Sequence, residues 1–141
     1  MTLYAETSAL LSWFFGEARG GEVRRGLDRA SAVVTSELTA FELERGVIRN
    51  VVAGRLTEAA AARLRTSMTA TLSGWSVVGL TAEVLASGRR RFPKEPVRAL
   101  EAIHLGTLLV IRTSIADVHV LSLDDRVRDN ARLLGLSVLP T

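Results

Sequence analysis

LYAETSALL, at residues 3–11, is the stretch that decides the fold. It predicts a short strand over Thr2–Ala5, then one acidic residue, Glu6, and then a helix over Ala9–Phe15. An acid that stands between a strand and the following helix lies at the carboxyl end of that strand, which is where open parallel sheets bind their ligands. The stretch therefore predicts both a strand–helix unit and a candidate site.

The rest of the chain continues this alternation of strand and helix. Further strands are predicted over Ala32–Thr35, Trp75–Leu80, Val118–Ser122 and Ser137–Leu139. Further helices are predicted over Glu22–Arg29, Ser36–Val47, Ala59–Leu72, Thr81–Gly88, Val97–Ile111 and Asp124–Gly135. The predicted helix caps include Thr7 or Ser8, Ser36 and Thr57. This order implies an α/β fold with a mainly parallel five-stranded sheet and helices on both faces. No repeat or long linker interrupts it, so we predict one domain over residues 1–141.

The composition predicts a folded intracellular protein. Apolar residues make up 48% of the 141 residues, which is too many for a disordered chain. The chain has no cysteine, which excludes disulfides and thiolate metal sites and fits a reducing cytoplasm. The first residues lack the basic leader of a signal peptide, and the longest apolar run, Leu105–Ile111, is far shorter than the ~18 residues of a membrane helix. We therefore expect a cytoplasmic protein that has no membrane partner.

Positive charge is only slightly in excess, with 18 basic and 15 acidic residues. A net charge of +3 does not by itself indicate nucleic-acid binding. The basic residues are clustered, however, as Arg19, Arg24, Arg25 and Arg29, and as Arg89, Arg90, Arg91, Lys94 and Arg98. Such clusters form solvated helix faces or, beside a carboxylate site, a surface that suits a phosphate backbone.

Three acidic residues occupy comparable places near the ends of predicted strands or the start of a helix, and a fourth, Glu42, lies within the helix after the second strand. The four acids are Glu6, Glu42, Glu101 and Asp124. Each has an ordinary explanation when it is taken alone, because acids suit the first turn or the cap of a helix and pair with nearby arginines. The candidate arginine partners are Arg45 or Arg49 for Glu42 and Arg98 for Glu101.

As a set, the four acids indicate a metal site. Carboxylates that converge on one cleft repel each other, so they persist where a divalent cation neutralises them. Their hard oxygen atoms favour Mg²⁺ or Mn²⁺ over zinc. Such an ion activates a bound water, orients a phosphodiester and stabilises the leaving oxygen.

Four stretches of the chain resemble, in order, the motifs of PIN domains. LYAETSALL resembles the opening motif, which is normally a strand, an Asp, a hydroxyl residue and apolar residues. TSELTAFELERGV (35–47) resembles the second motif, in which a Ser begins a helix and a Glu follows six residues later. VRALEAIHLGTLL (97–109) resembles the third, a helix reading Asp-Ala-Ile-His, and VLSLDDRVRDNARLLGLSVL (120–139) resembles the last. The chain length and the four motifs most resemble the VapC toxin branch.

The resemblance implies a VapC-like endoribonuclease that uses Mg²⁺ or Mn²⁺ to cut RNA. The implied catalytic and metal-binding acids are Glu6, Glu42, Glu101 and Asp124, with Asp125 as a further candidate ligand. Thr7 and Ser122 match the hydroxyl positions beside the first and last acids. Ser8 is expected to orient the first helical turn, and His104 is expected to have a structural rather than a catalytic role.

The chain departs from the family pattern at two acids. The first and third motif acids are normally Asp, whereas here they are Glu6 and Glu101. Each change keeps the charge and adds a methylene, roughly 1.5 Å of reach, although Mg²⁺ tolerates misplaced ligands poorly. Three outcomes follow: a compensated site, a preference for Mn²⁺, or a catalytically impaired site on an intact fold.

The resemblance also implies partners for the chain. Toxins of this family are held by a small antitoxin (VapB-like), which can send an arginine into the acidic site, and they usually form homodimers. An arginine suits such a site because it is permanently charged and bidentate. Trp13, Phe14 and Phe15 are apolar candidates for a groove or a dimer surface, although the core is the favoured place for them.

Two other functions fit parts of the pattern. The first is a catalytically impaired PIN fold that binds RNA or protein, which the two Glu-for-Asp changes suggest. The second is a phosphoryl-accepting α/β domain similar to a response regulator, which would need a lysine near its last strand. The only lysine, Lys94, lies in a proline-flanked loop and not near the last strand, which argues against a phosphoryl-accepting domain. A glycine-rich phosphate loop is absent, because Gly16, Gly20 and Gly21 lack the required spacing.

Overall fold

A single sheet of five strands lies at the centre of the computed structural model, which describes residues 1–141. The strands are β1 (Thr2–Ala5), β2 (Ala32–Ser36), β3 (Ser76–Val78), β4 (Val118–Leu121) and β5 (Val138–Leu139). Their order across the sheet is β3-β2-β1-β4-β5, and every neighbouring pair runs parallel. The predicted α/β fold and mainly parallel sheet are therefore confirmed.

Seven helices cover the sheet on both faces, as the alternation predicts. They are α1 (Thr7–Phe14), α2 (Gly20–Arg29), α3 (Glu37–Val52), α4 (Glu58–Ser73), α5 (Ala82–Gly88), α6 (Ala99–Ser114) and α7 (Asp125–Leu133). At most ends of helices and strands, the boundary differs from the predicted one by a few residues, and β3 is shorter than predicted. None of the helices combines the length and the apolar character that a membrane crossing requires.

Side-chain caps begin most of these helices. Ser36 and Thr57 accept hydrogen bonds from the backbone N–H groups of Thr39 and Ala60, as predicted. The prediction that Thr7 or Ser8 caps α1 was wrong. Glu6 has the extended backbone of a cap, and its carboxylate accepts the Ser8 N–H, so α1 begins at Thr7.

Alternate residues of β1 point to opposite faces of the sheet. Tyr4 packs with the apolar side chains of α6 and α7 in the largest core cluster. Leu3 and Ala5 face the other way, into two smaller clusters that include residues of α1, α2, α3 and α4. The aromatic run at 13–15 is partly buried against these smaller clusters, which agrees with the favoured core placement.

The order of strands reverses at β1, and this reversal places the site. From β1 the chain moves outward to β2 and β3, then crosses back to β4 on the other side of β1. Such a switch point opens a crevice beyond the carboxyl ends of the two central strands. Glu6 directly follows β1, and Ser122 directly follows β4, so both residues lie at that crevice.

Helices α5 and α6 approach each other so closely that a methyl group at Gly106 has no room. A Cβ there would lie 2.7 Å from the Gly88 nitrogen and 2.8 Å from the Val84 oxygen, and both atoms belong to the backbone. Alanine is the better helix former by up to about 1 kcal/mol, but overpacking costs about 1–3 kcal/mol. We expect Gly106→Ala to lower the free energy of unfolding by about 1–2 kcal/mol in urea denaturation.

Gly21→Ala is the matched control for this prediction. Gly21 is also helical, but a Cβ there would meet only the end of the flexible Arg25 side chain, at 3.7 Å. We expect this variant to be as stable as the wild type or slightly more stable. A Gly106→Ala protein that gains stability in the same way would contradict the close packing of α5 on α6.

Candidate active site

One cavity of about 410 Å³ collects the four predicted acids. It is lined by Glu6, Glu42, Arg98, Ala99, Leu100, Glu101, His104 and Asp124. These residues come from the end of β1, from α3, from the start of α6 and from the loop after β4. The acids are up to 118 positions apart in the sequence (6 to 124), so only the fold brings them together. Asp125, the further candidate ligand, is exposed and does not line the cavity.

Glu6 is almost completely buried and is held by hydroxyl groups. One carboxylate oxygen accepts the Ser8 N–H at 3.1 Å. The other accepts the hydroxyl of Ser122 at 2.7 Å and that of Ser8. Ser8 Oγ in turn accepts the backbone N–H groups of Leu123 and Asp124. Ser8 therefore ties the start of α1 to the loop after β4, which is more than the local turn role that the sequence predicted.

Glu42 is half-buried and binds through one oxygen. Its Oε1 accepts the Thr7 hydroxyl at 2.7 Å and lies 2.8 Å from the His104 Nε2. Burial opposes ionisation of this carboxyl, but the hydrogen bonds from His104 and Thr7 outweigh burial and keep its pKa below the usual value. Neither Arg45 nor Arg49 forms an ion pair with Glu42, so those candidate partners were wrong.

His104 connects the acids to the core. Its Nε2 faces Glu42 and lies 3.6 Å from the nearer oxygen of Glu6. Its Nδ1 lies 2.8 Å from the Tyr4 hydroxyl, which is itself completely buried. Burial raises the pKa of Tyr4, so its hydroxyl keeps the proton. Sequence reasoning did not single out Tyr4, and the only available signal was a polar aromatic residue in the middle of an apolar strand.

Glu101 and Asp124 both act as helix-capping residues. The Glu101 carboxylate accepts the Arg98 backbone N–H at 2.8 Å. Its partner is therefore the main chain of Arg98, whereas the sequence suggested the guanidinium. Asp124 Oδ1 accepts the Val127 N–H at 2.9 Å and caps α7. Capping fixes both carboxylates at the rim of the cavity.

The donor chemistry of this cavity fits a hard divalent cation. Four carboxylates line it, and the chain has no cysteine that could supply a thiolate. No three of these groups are already arranged as a set of ligands, however. The imidazole of His104 stands between Glu6 and Glu42, while the other two carboxylates face backbone amides. Glu101 and Asp124 each accept the capping N–H through one oxygen, Oε2 and Oδ1, which leaves the second oxygen of each carboxylate without a protein hydrogen bond.

Comparisons with known proteins point to one family. A sequence model described as the PIN domain matches residues 3–133 of the chain. A sequence comparison with curated proteins gave no match.

Solved structures share the fold at low sequence identity. The toxin VapC20 of Mycobacterium tuberculosis, described as cleaving the sarcin–ricin loop, is 17% identical and has a TM-score of 0.64, with 90% of this chain and 93% of that chain covered. A toxin–antitoxin complex from Klebsiella pneumoniae contains a chain that is 15% identical, with a TM-score of 0.62 and coverages of 88% and 87%. A chain of VapBC2 from Rickettsia felis, bound to a promoter DNA fragment, is 9% identical, with a TM-score of 0.65 and coverages of 98% and 97%.

Proposed function

The chain belongs to the PIN domain family, and on that basis we propose that it is an Mg²⁺- or Mn²⁺-dependent endoribonuclease, the toxin of a toxin–antitoxin pair. The observation that carries this proposal is the meeting of Glu6, Glu42, Glu101 and Asp124 around one cavity. Each of them stands at an acidic position of a motif that resembles the family pattern. The similar solved structures that are described as toxins or toxin–antitoxin complexes support the biological role.

In this proposal the four acids hold the metal ion. When bound, the ion supplies an activated water and stabilises the charge on the leaving oxygen of the phosphodiester. The surrounding residues keep the acids in place. Ser8 and Ser122 hold Glu6, while Thr7 and His104 hold Glu42.

The longer side chains of Glu6 and Glu101 allow both carboxylates to cap their own helices. The Glu6 carboxylate reaches forward to the Ser8 N–H and caps its own helix. The Glu101 carboxylate reaches back to the Arg98 N–H and completes the first turn of α6. We expect such a site to work better with Mn²⁺ than with Mg²⁺, because Mg²⁺ demands near-ideal octahedral geometry.

Arg98 is the one arginine or lysine that lines the acidic cavity. Its guanidinium forms no ion pair with a carboxylate. The hydrogen bond between Arg98 and Glu101 is donated by the backbone N–H of Arg98. A free arginine beside a carboxylate site suits the phosphate of an RNA substrate. We expect Arg98→Ala to raise the KM for RNA by about 10-fold, which corresponds to about 1.4 kcal/mol. Steady-state cleavage of a short fluorescent RNA measures this change.

Arg91→Ala serves as the control for Arg98→Ala. Arg91 belongs to the same basic cluster and is exposed, but it does not line the cavity. We also expect Arg98→Ala to reduce the salt dependence of RNA binding by about one phosphate contact, or ~0.7 in the logarithmic slope for a single strand. Equal effects of the two substitutions would mean that Arg98 contributes general positive charge and no specific contact.

The partners belong to the same proposal. We propose a small antitoxin that covers this chain, a homodimer of the toxin and a cytoplasmic location. A cleft of about 560 Å³ between α1 and α3 supports an antitoxin surface. It combines apolar side chains such as Phe15 and the highly exposed Val52 with the cations Arg45, Arg49 and Arg55. That combination suits an amphipathic segment with acidic flanks.

A further inference from the structure

A buried chain of hydrogen bonds runs from the centre of the sheet to the acidic cavity. It begins at the Tyr4 hydroxyl on β1, passes through the imidazole of His104 on α6, and ends at Glu42 on α3. Both ring contacts are 2.8 Å long. Tyr4 is completely buried and His104 is 2% exposed, so water does not replace these partners.

The neighbours of the His104 Nε2 require this nitrogen to carry a proton. Nε2 faces an oxygen of Glu42 at 2.8 Å and an oxygen of Glu6 at 3.6 Å. Ionised carboxylates only accept hydrogen bonds, so Nε2 must carry a proton. Thr7 is consistent with this assignment, because its hydroxyl donates to Glu42 and its oxygen can accept from Nε2.

The Tyr4 hydroxyl completes the other side of the ring. The Tyr4 hydroxyl and Nδ1 share one hydrogen bond of 2.8 Å, in which either group can be the donor. Tyr4 is fixed by strand pairing on both sides of β1. The ring of His104 is therefore held in one orientation, with Nε2 directed at the acids.

The two carboxylate oxygens of Glu42 have different surroundings as a result. Oε1 receives both hydrogen bonds, from Thr7 and from His104. Oε2 accepts no hydrogen bond from the protein and is not buried, so it remains free at the cavity. One oxygen is thus anchored while the other stays available.

We propose that His104, oriented by Tyr4, is a positioning residue that anchors Glu42 through Oε1 and presents Oε2 to the cavity for a divalent cation. The role of the cation rests on the proposed function, whereas the orientation of the ring does not. Groups that orient metal ligands in this way typically change metal affinity or activity by 10- to 100-fold when they are removed.

Two variants separate positioning from packing. In His104→Gln the side-chain amide can still donate to Glu42 from about the place of Nε2. In Tyr4→Phe/His104→Met the pocket stays filled and no buried hydroxyl is left unpaired, but the donor is gone. We expect the first variant to bind Mn²⁺ almost as the wild type does, and the second to lose about 10- to 100-fold in Mn²⁺ affinity. Titration calorimetry and Mn²⁺ electron paramagnetic resonance measure this on the full chain, with thermal denaturation as the folding control.

NMR of the metal-free protein tests the orientation without any activity. The chain has two histidines, so the spectrum of His104 is read against that of His119. We expect a slowly exchanging proton on Nε2 and a hydrogen-bonded Nδ1 that loses this bond in Tyr4→Phe.

Either of two results would overturn the positioning role: a His104 whose Nε2 carries no proton, or a folded double variant that binds Mn²⁺ as tightly as the wild type. A wild-type chain that binds no Mn²⁺ would contradict the proposed function, and the NMR result would then decide the orientation of the ring by itself.

Discussion

Asp124→Asn is expected to reduce metal-dependent RNA cleavage severely and to leave the fold unchanged. Asp124 caps α7 by accepting the Val127 N–H, and asparagine caps a helix about as well as aspartate does. The substitution therefore removes a negative charge from the cavity without removing the cap. We expect the rate of cleavage to fall by more than about 100-fold, which exceeds the typical effect of a residue that only supports a metal ligand.

Glu42→Gln is expected to have a similar effect for a similar reason. The amide oxygen of glutamine can still accept from Thr7 and His104, as Oε1 of Glu42 does. Only the charge and one oxygen at the cavity are lost. Because the pKa of Glu42 lies below its usual value, the wild-type side chain is ionised at neutral pH and this charge is present.

The neighbouring Asp125 provides the matched control. It is adjacent to Asp124 and has the same charge, but it is exposed and lies outside the lining of the cavity. We expect Asp125→Asn to cleave RNA as the wild type does. The assay uses antitoxin-free protein and total RNA with Mn²⁺, Mg²⁺ or EDTA, and circular dichroism checks the fold of each variant.

Two outcomes of this assay would contradict the proposal in different ways. Equal losses in both aspartate variants would assign the effect to general charge near α7. A folded wild-type chain that cleaves no RNA with either metal would contradict the proposed nuclease function. A binding module on a PIN fold would then be the better explanation.

Arg128→Met is expected to cause the largest loss of stability among the substitutions considered. Arg128 is 7% exposed, and its guanidinium donates to the carbonyl oxygens of Ser122, Leu139 and Pro140 at 2.6, 3.1 and 2.8 Å. It therefore joins the end of β4 to β5 and to the C-terminal residues. Methionine fills much of the space but removes the Arg128 donor from the carbonyls of Ser122 and Pro140, while the Leu139 carbonyl still accepts the Ser122 N–H, and the loss costs about 2–4 kcal/mol.

Arg132→Met on the same helix is the control for this substitution. Arg132 is about half exposed and forms a long surface ion pair with Asp129, at 3.5 Å. Exposed pairs of this kind contribute about 0–1 kcal/mol. Urea denaturation should therefore separate the two variants clearly. Similar midpoints for both proteins would mean that the buried guanidinium adds nothing to the attachment of β5.

The sequence by itself determined the order of elements and much of the local structure. Alternating strand and helix patterns predicted a mainly parallel sheet of five strands, because each pattern depends on residues only a few positions apart. The caps at Ser36 and Thr57 were readable for the same reason, since each side chain bonds to a backbone group three residues ahead. The four acids were also readable, because each stands at a fixed place relative to its own strand or helix.

Only the tertiary structure decided what each acid contacts. Glu42 and His104 are 62 positions apart, Tyr4 and His104 are 100 apart, and Glu6 and Ser122 are 116 apart. No local pattern encodes such pairs, because they arise from the order in which the strands assemble and from the faces that the helices bury. For the same reason the sequence suggested arginine partners for Glu42 and Glu101, where the fold supplies a buried histidine and a backbone amide. The set of acids was a property of the sequence, whereas the arrangement of their oxygens is a property of the packed sheet.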